Sequence, residues 1–189
     1  MCQHRRTDRR VTAHRRHLRP DSPDRSTKLR PNAEIEALQR AARRADVLAP
    51  DVSKWSVGMH IHHLCLAMEG VCESLLASEP PTPPVRRSLL TAAVFLSGRI
   101  PRGRAQSPDP VIPTPGISWE ALSSMLDSSA AQLNAAAVAH PQQWFRHFAF
   151  GVLDRDQTLK FIRIHNRHHL RIIDDILKSA EDRNRKEGP

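Results

Sequence analysis

Six of the chain's eleven histidines fall into two short clusters. These six are His60, His62, His63, His165, His168 and His169. Imidazole nitrogens are costly to bury on an apolar helix face unless a hydrogen bond or a metal ion satisfies them. Because the two clusters lie on separate predicted helices, one metal ion held between the helices explains them best.

The C-terminal cluster lies on a predicted amphipathic helix whose inward stripe includes two of its histidines. The stripe comprises Thr158, Phe161, Ile162, His165, His169, Ile172 and Ile176. His165 and His169 are four residues apart, so they occupy adjacent turns of one face and can chelate one ion. His168 borders this face. It is a second-ranked ligand beside His165, or it hydrogen-bonds the ring of a ligand.

The upstream cluster lies on a second predicted helix, and its faces differ in charge. His63 shares its face with uncharged residues such as Leu66, and it is the better ligand candidate. His62 shares its face with Glu69 and Glu73, which is typical of a solvated face. The sequence therefore predicts that His63 points inward and His62 outward.

The other polar candidates on this helix are weaker. His60 lies between the two faces and either hydrogen-bonds a ligand ring or packs. Cys65 falls roughly opposite His63, so a mixed cysteine–histidine site is not predicted. Cys65 and Cys72 share one stripe and, with Cys2, make an odd count, which favours buried thiols over a disulfide framework.

The predicted ligands are thus His63, His165 and His169. Three neutral imidazoles suit Zn²⁺, Ni²⁺ or Fe²⁺. Three protein ligands leave one coordination position open, which is typical of a catalytic site that activates a water or a thiol. No HExxH glutamate or other general base accompanies them, so the catalytic residues stay unassigned. His140 and His147 lie in loops, where a backbone hydrogen bond is their commoner role, although His147 is near enough in sequence to approach the site.

Four long helices must position these side chains. Apolar periodicity places them at about 32–48, 53–77, 118–139 and 154–180. Pro50 ends the first and the prolines of 80–84 end the second. Ser118 is the predicted N-cap of the third, and Asp154 with Gln157 resembles a capping box for the fourth.

The segments between these helices complete the predicted fold. Residues 85–97 suit a short apolar helix, and the Pro- and Gly-rich stretch that follows forms a long crossover. Residues 142–153 are predicted to be an irregular connection with Gly151 at a turn. Because no segment alternates with period two, the fold class predicted is all-α, a four-helix bundle over residues 31–180 with a polar C-terminal tail at 181–189.

The strong basicity of the chain belongs to its first thirty residues. They hold ten Lys and Arg and three Asp, a net charge of +7 out of +9 for the whole chain, so the rest carries only +2. With few apolar residues, this Arg-rich tail is predicted to be disordered. Nucleic-acid contact, if any, is predicted through residues 1–30 alone. No apolar stretch is long enough for a membrane span, and the localisation predicted is cytoplasmic.

Three segments resemble the DinB/YfiT-like superfamily of metal-binding helical bundles. Residues 55–64, WSVGMHIHHL, look like the W-S-x(6)-H-L opening of that superfamily's second helix. Residues 147–153, HFAFGVL, resemble the H-P-x-F-G-x-L turn of one uncharacterised branch, with Phe148 replacing the usual proline. Residues 165–170, HNRHHL, resemble its H-x-x-H-H-L element. Order and spacing agree over about residues 32–180, whereas the first thirty residues have no counterpart.

The resemblance implies an up-down-down-up four-helix bundle with one divalent metal ion. Carried over residue by residue, it makes His63, His165 and His169 the ligands, the same three that the helix faces favour. Characterised members include low-molecular-weight-thiol S-transferases and a mycothiol-dependent isomerase, in which the metal activates a thiol. The branch with the closest turn motif has no settled substrate.

Three functions follow, in descending order. The first is a metal-dependent enzyme acting on a small molecule, by thiol-dependent transfer or a related addition or hydrolysis. Its pocket walls would come from the crossover and the turn at Phe150. The second is a noncatalytic bundle stapled by its metal, and the third is nucleic-acid binding by the tail. Whether the protein is an enzyme is left open, and the bundle allows a homodimer.

Overall fold

The computed structural model describes residues 32–84, 89–102 and 109–186. Within these ranges lie α1 (Asn32–Ala42), α2 (Val57–Ala77), α3 (Leu89–Ser97), a 3-10 turn (Asp109–Val111), α4 (Trp119–Val138), β1 (Trp144–His147), β2 (Gly151–Asp154) and α5 (Arg155–Lys186). The predicted N-terminal tail, residues 1–30, lies outside the described residues.

The core lies where α2 packs against α4 and α5, with α1 against α4 and α5. Its largest fully buried side chains come from the apolar stripes of all these helices: Leu38, Ile61, Leu64, Met68, Leu75, Leu122, Leu126, Ile173 and Ile176. Burial of these stripes, more than helix propensity, stabilises helices of this length. The fold is therefore mainly helical, as the apolar periodicity predicts, with five α-helices among the described residues.

The helix starts follow the predicted capping chemistry. Ser118 caps α4 by accepting a hydrogen bond from the Ala121 amide. Asp154 accepts one from the Gln157 amide at the start of α5, at 2.9 Å. The α2 helix begins at Val57, later than predicted, because Ser56 is its cap. The short apolar helix is confirmed as α3, and residues 85–88 of its predicted range lie outside the described residues.

The predicted helix and loop boundaries are wrong in three places, and one of these is the first helix, because α1 ends at Ala42 and not near residue 48. Residues 142–153 are not irregular, because β1 and β2 form an antiparallel hairpin with Trp144 opposite Asp154 and His147 opposite Gly151. Strands of four residues are too short to show a period-two pattern, and Gly151 supplies the positive φ of 76° after the turn. The fold is thus not purely all-α.

The last helix also extends past its predicted end at Ala180. It continues to Lys186, so residues 181–186 of the predicted polar tail are helical. Glu181 pairs with Arg44 at 2.7 Å, and Arg183 donates to the Leu48 carbonyl at 3.0 Å. Through these contacts, the last turns of α5 pack against the segment after α1. Their sequence is polar and has no apolar periodicity, so the helix end could not be predicted from it.

A close approach at the start of α2 makes Gly58 sensitive to substitution. The Gly58 amide donates to the Ala45 carbonyl at 2.8 Å, and a Cβ at Gly58 would lie 2.9 Å from both Cβ and O of Ala45. We expect Gly58→Ala to lower the free energy of unfolding by about 1–3 kcal/mol. Gly70→Ala, on the same helix with nothing within 4 Å, should raise it by up to about 1 kcal/mol. Urea unfolding measures both; equal stability of the two variants would contradict the packing argument.

Candidate metal centre

The α2 and α5 helices bring together the three histidines predicted as ligands. The Nε2 atom of His165 lies 3.4 Å from Nε2 of His63 and 3.2 Å from Nε2 of His169. One ring nitrogen of each residue lies within 4.8 Å of the other two. His63 and His169 are buried, and His165 is half-buried. The three-histidine group could therefore hold a metal ion.

The spacing of these nitrogens can be compared with a tetrahedral site. Four ligands at 2.0–2.1 Å from a zinc ion stand about 3.3 Å from one another. The two Nε2 separations at His165 bracket this value. Neutral imidazole nitrogens packed this closely repel unless a hydrogen or a cation lies between their lone pairs. Donor type, number and spacing thus fit a small divalent ion.

The second ring nitrogen of His63 contacts the 3-10 turn (Asp109–Val111), which lies within the Pro- and Gly-rich crossover. Its Nδ1 atom lies 2.7 Å from the carbonyl oxygen of Val111, in the 3-10 turn. A carbonyl only accepts, so Nδ1 carries the hydrogen of the neutral ring. The Nε2 atom then presents a lone pair to the site, as a metal ligand must.

The second ring nitrogen of His169 contacts another histidine. Its Nδ1 atom lies 2.9 Å from Nδ1 of His60, whose Nε2 lies 3.0 Å from Oγ of Ser53. The Ser53 Oγ also accepts a hydrogen bond from the Trp55 amide at 3.1 Å. The Trp55 ring stacks on His169 at 6.5 Å and meets His60 edge-on at 5.3 Å. His60 is thus a hydrogen-bonding partner of the cluster, one of the two roles the sequence allowed.

Burial keeps the cluster uncharged at neutral pH. Desolvation lowers the pKa of His165 to about 3 and that of His60 to about 4, and the neighbouring histidines lower both further. Desolvation likewise lowers the pKa of His63 and of His169. Neutral imidazoles are the form that binds metal, so the rings do not need to lose a proton to solvent first.

The ionisable groups that lower the pKa values of the cluster are basic side chains. Among the described residues, the charged groups that shift the pKa values of these histidines are other histidines, Arg102 and Arg171, with no carboxylate. Arg102 pairs with Asp175 at 2.8 Å on the exposed side of α5. The arginine charge that acts on His60 is therefore itself paired with a carboxylate.

Two further predictions concern His62 and His168. His62 was predicted to face solvent, and this is wrong: it is buried, and its Nδ1 accepts a hydrogen bond from the Thr114 amide at 3.0 Å. The chain after the 3-10 turn covers this face of α2, which helix periodicity alone does not reveal. The His168 ring hydrogen-bonds the backbone of Ile100 and meets the His169 ring edge-on, with ring centroids 5.1 Å apart. It lies outside the group of three histidines whose ring nitrogens converge.

His147 lies in an aromatic cluster beside His165. Its Nδ1 accepts hydrogen bonds from the amides of Ala149 and Phe150, so its Nε2 carries the hydrogen of the neutral ring. The ring stacks on Phe148 and Phe150, each at 4.5 Å. These backbone hydrogen bonds are the role predicted for His147, but the residue ends strand β1 and does not lie in a loop.

Phe161 connects this aromatic cluster to the histidines. Its ring lies 4.7 Å from that of His147 and stacks on His165 at 5.7 Å. Desolvation lowers the pKa of His147 to about 4. His140 has the loop role predicted for it, because its Nδ1 accepts from the Gln142 amide.

The cysteines on α2 are not placed for metal binding or nucleophilic chemistry. Cys65 and Cys72 are free and buried, as the sequence predicts. Desolvation raises the pKa of both thiols to about 11, so neither forms a thiolate at neutral pH.

The sequence did not predict the groups that hydrogen-bond the histidine ring nitrogens on the side away from the site. Ser53 precedes α2 and the Val111 carbonyl belongs to the 3-10 turn, so neither shares a helical stripe with a histidine. A backbone carbonyl leaves no sequence signal. The only available hint for Ser53 was its position just before the helix that carries His60.

Fold and site together define a mainly helical protein with a buried three-histidine group that could hold a metal ion. The chain belongs to the DUF1569 family, described as proteins of unknown function, whose sequence profile matches residues 24–175. The match begins within the basic N-terminal segment and ends inside α5. No curated protein and no solved structure matches the chain. None of the helices in the described ranges combines the length and apolarity needed to cross a membrane.

Proposed function

We propose that this protein is a divalent-metal-dependent enzyme of the DinB/YfiT-like superfamily, with His63, His165 and His169 as the metal ligands. The observation that carries the proposal is that His165 Nε2 lies 3.4 Å from His63 Nε2 and 3.2 Å from His169 Nε2, with one ring nitrogen of each residue within 4.8 Å of the other two. The W-S-x(6)-H-L and H-x-x-H-H-L motifs support the superfamily, and they contain the three histidines that converge, His63, His165 and His169.

The ligand set favours an anion at the open position. Three neutral imidazoles leave the full double charge of the ion uncompensated, and no described carboxylate acts on the cluster. A divalent ion there would lower the pKa of a bound thiol or water and act as a Lewis acid. The substrate class that fits best is a low-molecular-weight thiol, bound as thiolate and used in transfer or a related addition or hydrolysis.

The residues around the cluster have definite roles in this proposal. Phe150 and Phe161 provide apolar walls and exclude water from one side of His165. Neither thiol of α2 competes with an incoming thiol, because both are buried and protonated.

Metal and thiol binding test the proposal in sequence. Purified protein should contain about one divalent ion per chain by elemental analysis, consistent with one three-ligand site. Cobalt-substituted protein should then change its visible spectrum on addition of bacillithiol, mycothiol or glutathione. Protein that binds no Zn²⁺, Ni²⁺ or Fe²⁺ and stays folded would overturn the metal assignment. A cobalt spectrum that no thiol changes would instead indicate a metal ion without an open coordination position, and would support a noncatalytic bundle stabilised by its metal.

A further inference from the structure

A chain of hydrogen bonds runs from the half-buried Ser53 to the buried His169. Its links are Ser53 Oγ to His60 Nε2 at 3.0 Å and His60 Nδ1 to His169 Nδ1 at 2.9 Å. The other ring nitrogen of His169, Nε2, lies 3.2 Å from His165 Nε2. We call these three residues, Ser53, His60 and His169, the relay. Each ring in the relay uses both of its nitrogens.

With both histidine rings neutral, the hydrogens of the relay can be arranged in two ways. In the first, His169 Nδ1–H donates to His60 and His60 Nε2–H donates to Ser53. In the second, the Ser53 hydroxyl donates to His60, His60 Nδ1–H donates to His169, and His169 carries its hydrogen on Nε2. A neutral imidazole has one N–H, so these orders exclude each other. They have the same net charge.

Only the first order leaves a lone pair on His169 Nε2, where the three histidines converge. In the second order a hydrogen occupies that atom and points at His165. His63 has no such choice, because the Val111 carbonyl accepts from its Nδ1. The ability of His169 to bind a metal through Nε2 therefore depends on His60, whose Nδ1 can either donate a hydrogen bond to His169 or accept one from it.

We propose that His60 is a positioning residue that, together with Ser53, sets the tautomer of His169 and so controls divalent-metal affinity at the site. This rests on the proposed function for its metal readout. His60 acts through His169 and does not contact the metal itself. The Trp55 ring packs against both His60 and His169, and both histidines are buried.

Substitutions at His60 separate positioning from packing. His60→Ala should weaken Zn²⁺ binding roughly ten- to hundred-fold in a competition titration with a chromophoric chelator. His60→Asn places a carbonyl oxygen near the position of Nδ1, so we expect its affinity within about three-fold of the wild type. His62→Ala is the matched control, since His62 lies on the same helix, is buried, and bonds the Thr114 amide outside the relay. Equal losses in His60→Ala and His60→Asn would show a packing role and overturn the proposal.

Long-range ¹H–¹⁵N spectra of the histidine rings give a readout that packing alone would not move. With Zn²⁺ bound, the wild type should show the hydrogen of His169 on Nδ1 and that of His60 on Nε2. A His60 hydrogen on Nδ1 in the zinc-bound protein would overturn the proposal. If the wild type binds no zinc, the proposed function fails. The positions of the hydrogens on His60 and His169 are then determined from the spectra of the metal-free protein. Rings of His60 and His169 that both carry hydrogen on Nδ1, or both on Nε2, would then overturn the relay.

Discussion

Replacement of His165 by alanine is expected to abolish stoichiometric metal binding. The Nε2 atom of His165 is the one that approaches both other nitrogens, at 3.4 and 3.2 Å, so its loss leaves two ligands on separate helices. We expect the affinity for Zn²⁺ to fall by more than about a hundred-fold, beyond the range typical of residues that only support a ligand. Elemental analysis after dialysis and a competition titration measure the loss.

The matched control for this experiment is His168→Ala. His168 lies three residues away on α5, and its ring bonds the Ile100 backbone and not the three converging nitrogens. It should keep about one ion per chain, as expected for one three-ligand site. Far-ultraviolet circular dichroism of both variants shows whether the helices remain. A folded His165→Ala variant that holds metal as tightly as His168→Ala would refute the assignment of His165 as a ligand.

The second large effect is a loss of stability on mild acidification. His60 and His165 have pKa values of about 4 and about 3 in the folded chain, both lowered first by burial, against 6.5 for an ordinary histidine. Between pH 6.5 and these values the unfolded chain binds protons that the folded chain does not, so stability falls as the pH falls. Each of the two residues should remove roughly 2 kcal/mol from the free energy of unfolding between pH 7 and pH 5.

Urea unfolding at pH 7 and pH 5, with a chelator present, measures this change without competition from metal. His147, whose pKa is also lowered by burial to about 4, adds to it in the same direction. His60→Asn removes one of the titrating rings, so its stability should change by roughly 2 kcal/mol less over the same interval. A wild-type stability that is constant from pH 7 to pH 5 would show that these histidines have the same pKa values in the folded and the unfolded chain.

Helical periodicity carried most of what the sequence revealed. The inward positions of His63, His165 and His169 follow from a 3.6-residue repeat and from the charge of the helix faces, which are local properties. The caps at Ser118 and Asp154 are local as well, and the structure has both. The burial of Cys65 and Cys72 follows from the same stripe on α2.

The errors arose where non-local contacts override a local pattern. His62 has glutamates on its helix face, yet the segment containing Thr114 covers it. The hairpin at β1 and β2 depends on pairing between two short strands. The last turns of α5 depend on contacts with Arg44 and Leu48, far away in sequence.

The sequence by itself determined that His63, His165 and His169 face inward and that their type suits a divalent metal. Only the tertiary structure decided that His63 and His165, 102 positions apart, meet at the same height along α2 and α5. It also decided which groups contact the second ring nitrogens of two of these histidines: the Val111 carbonyl for His63 and His60 for His169. The physical reason is that a helix repeat fixes direction around an axis, whereas position along the axis and hydrogen-bond partners depend on packing between segments distant in the chain.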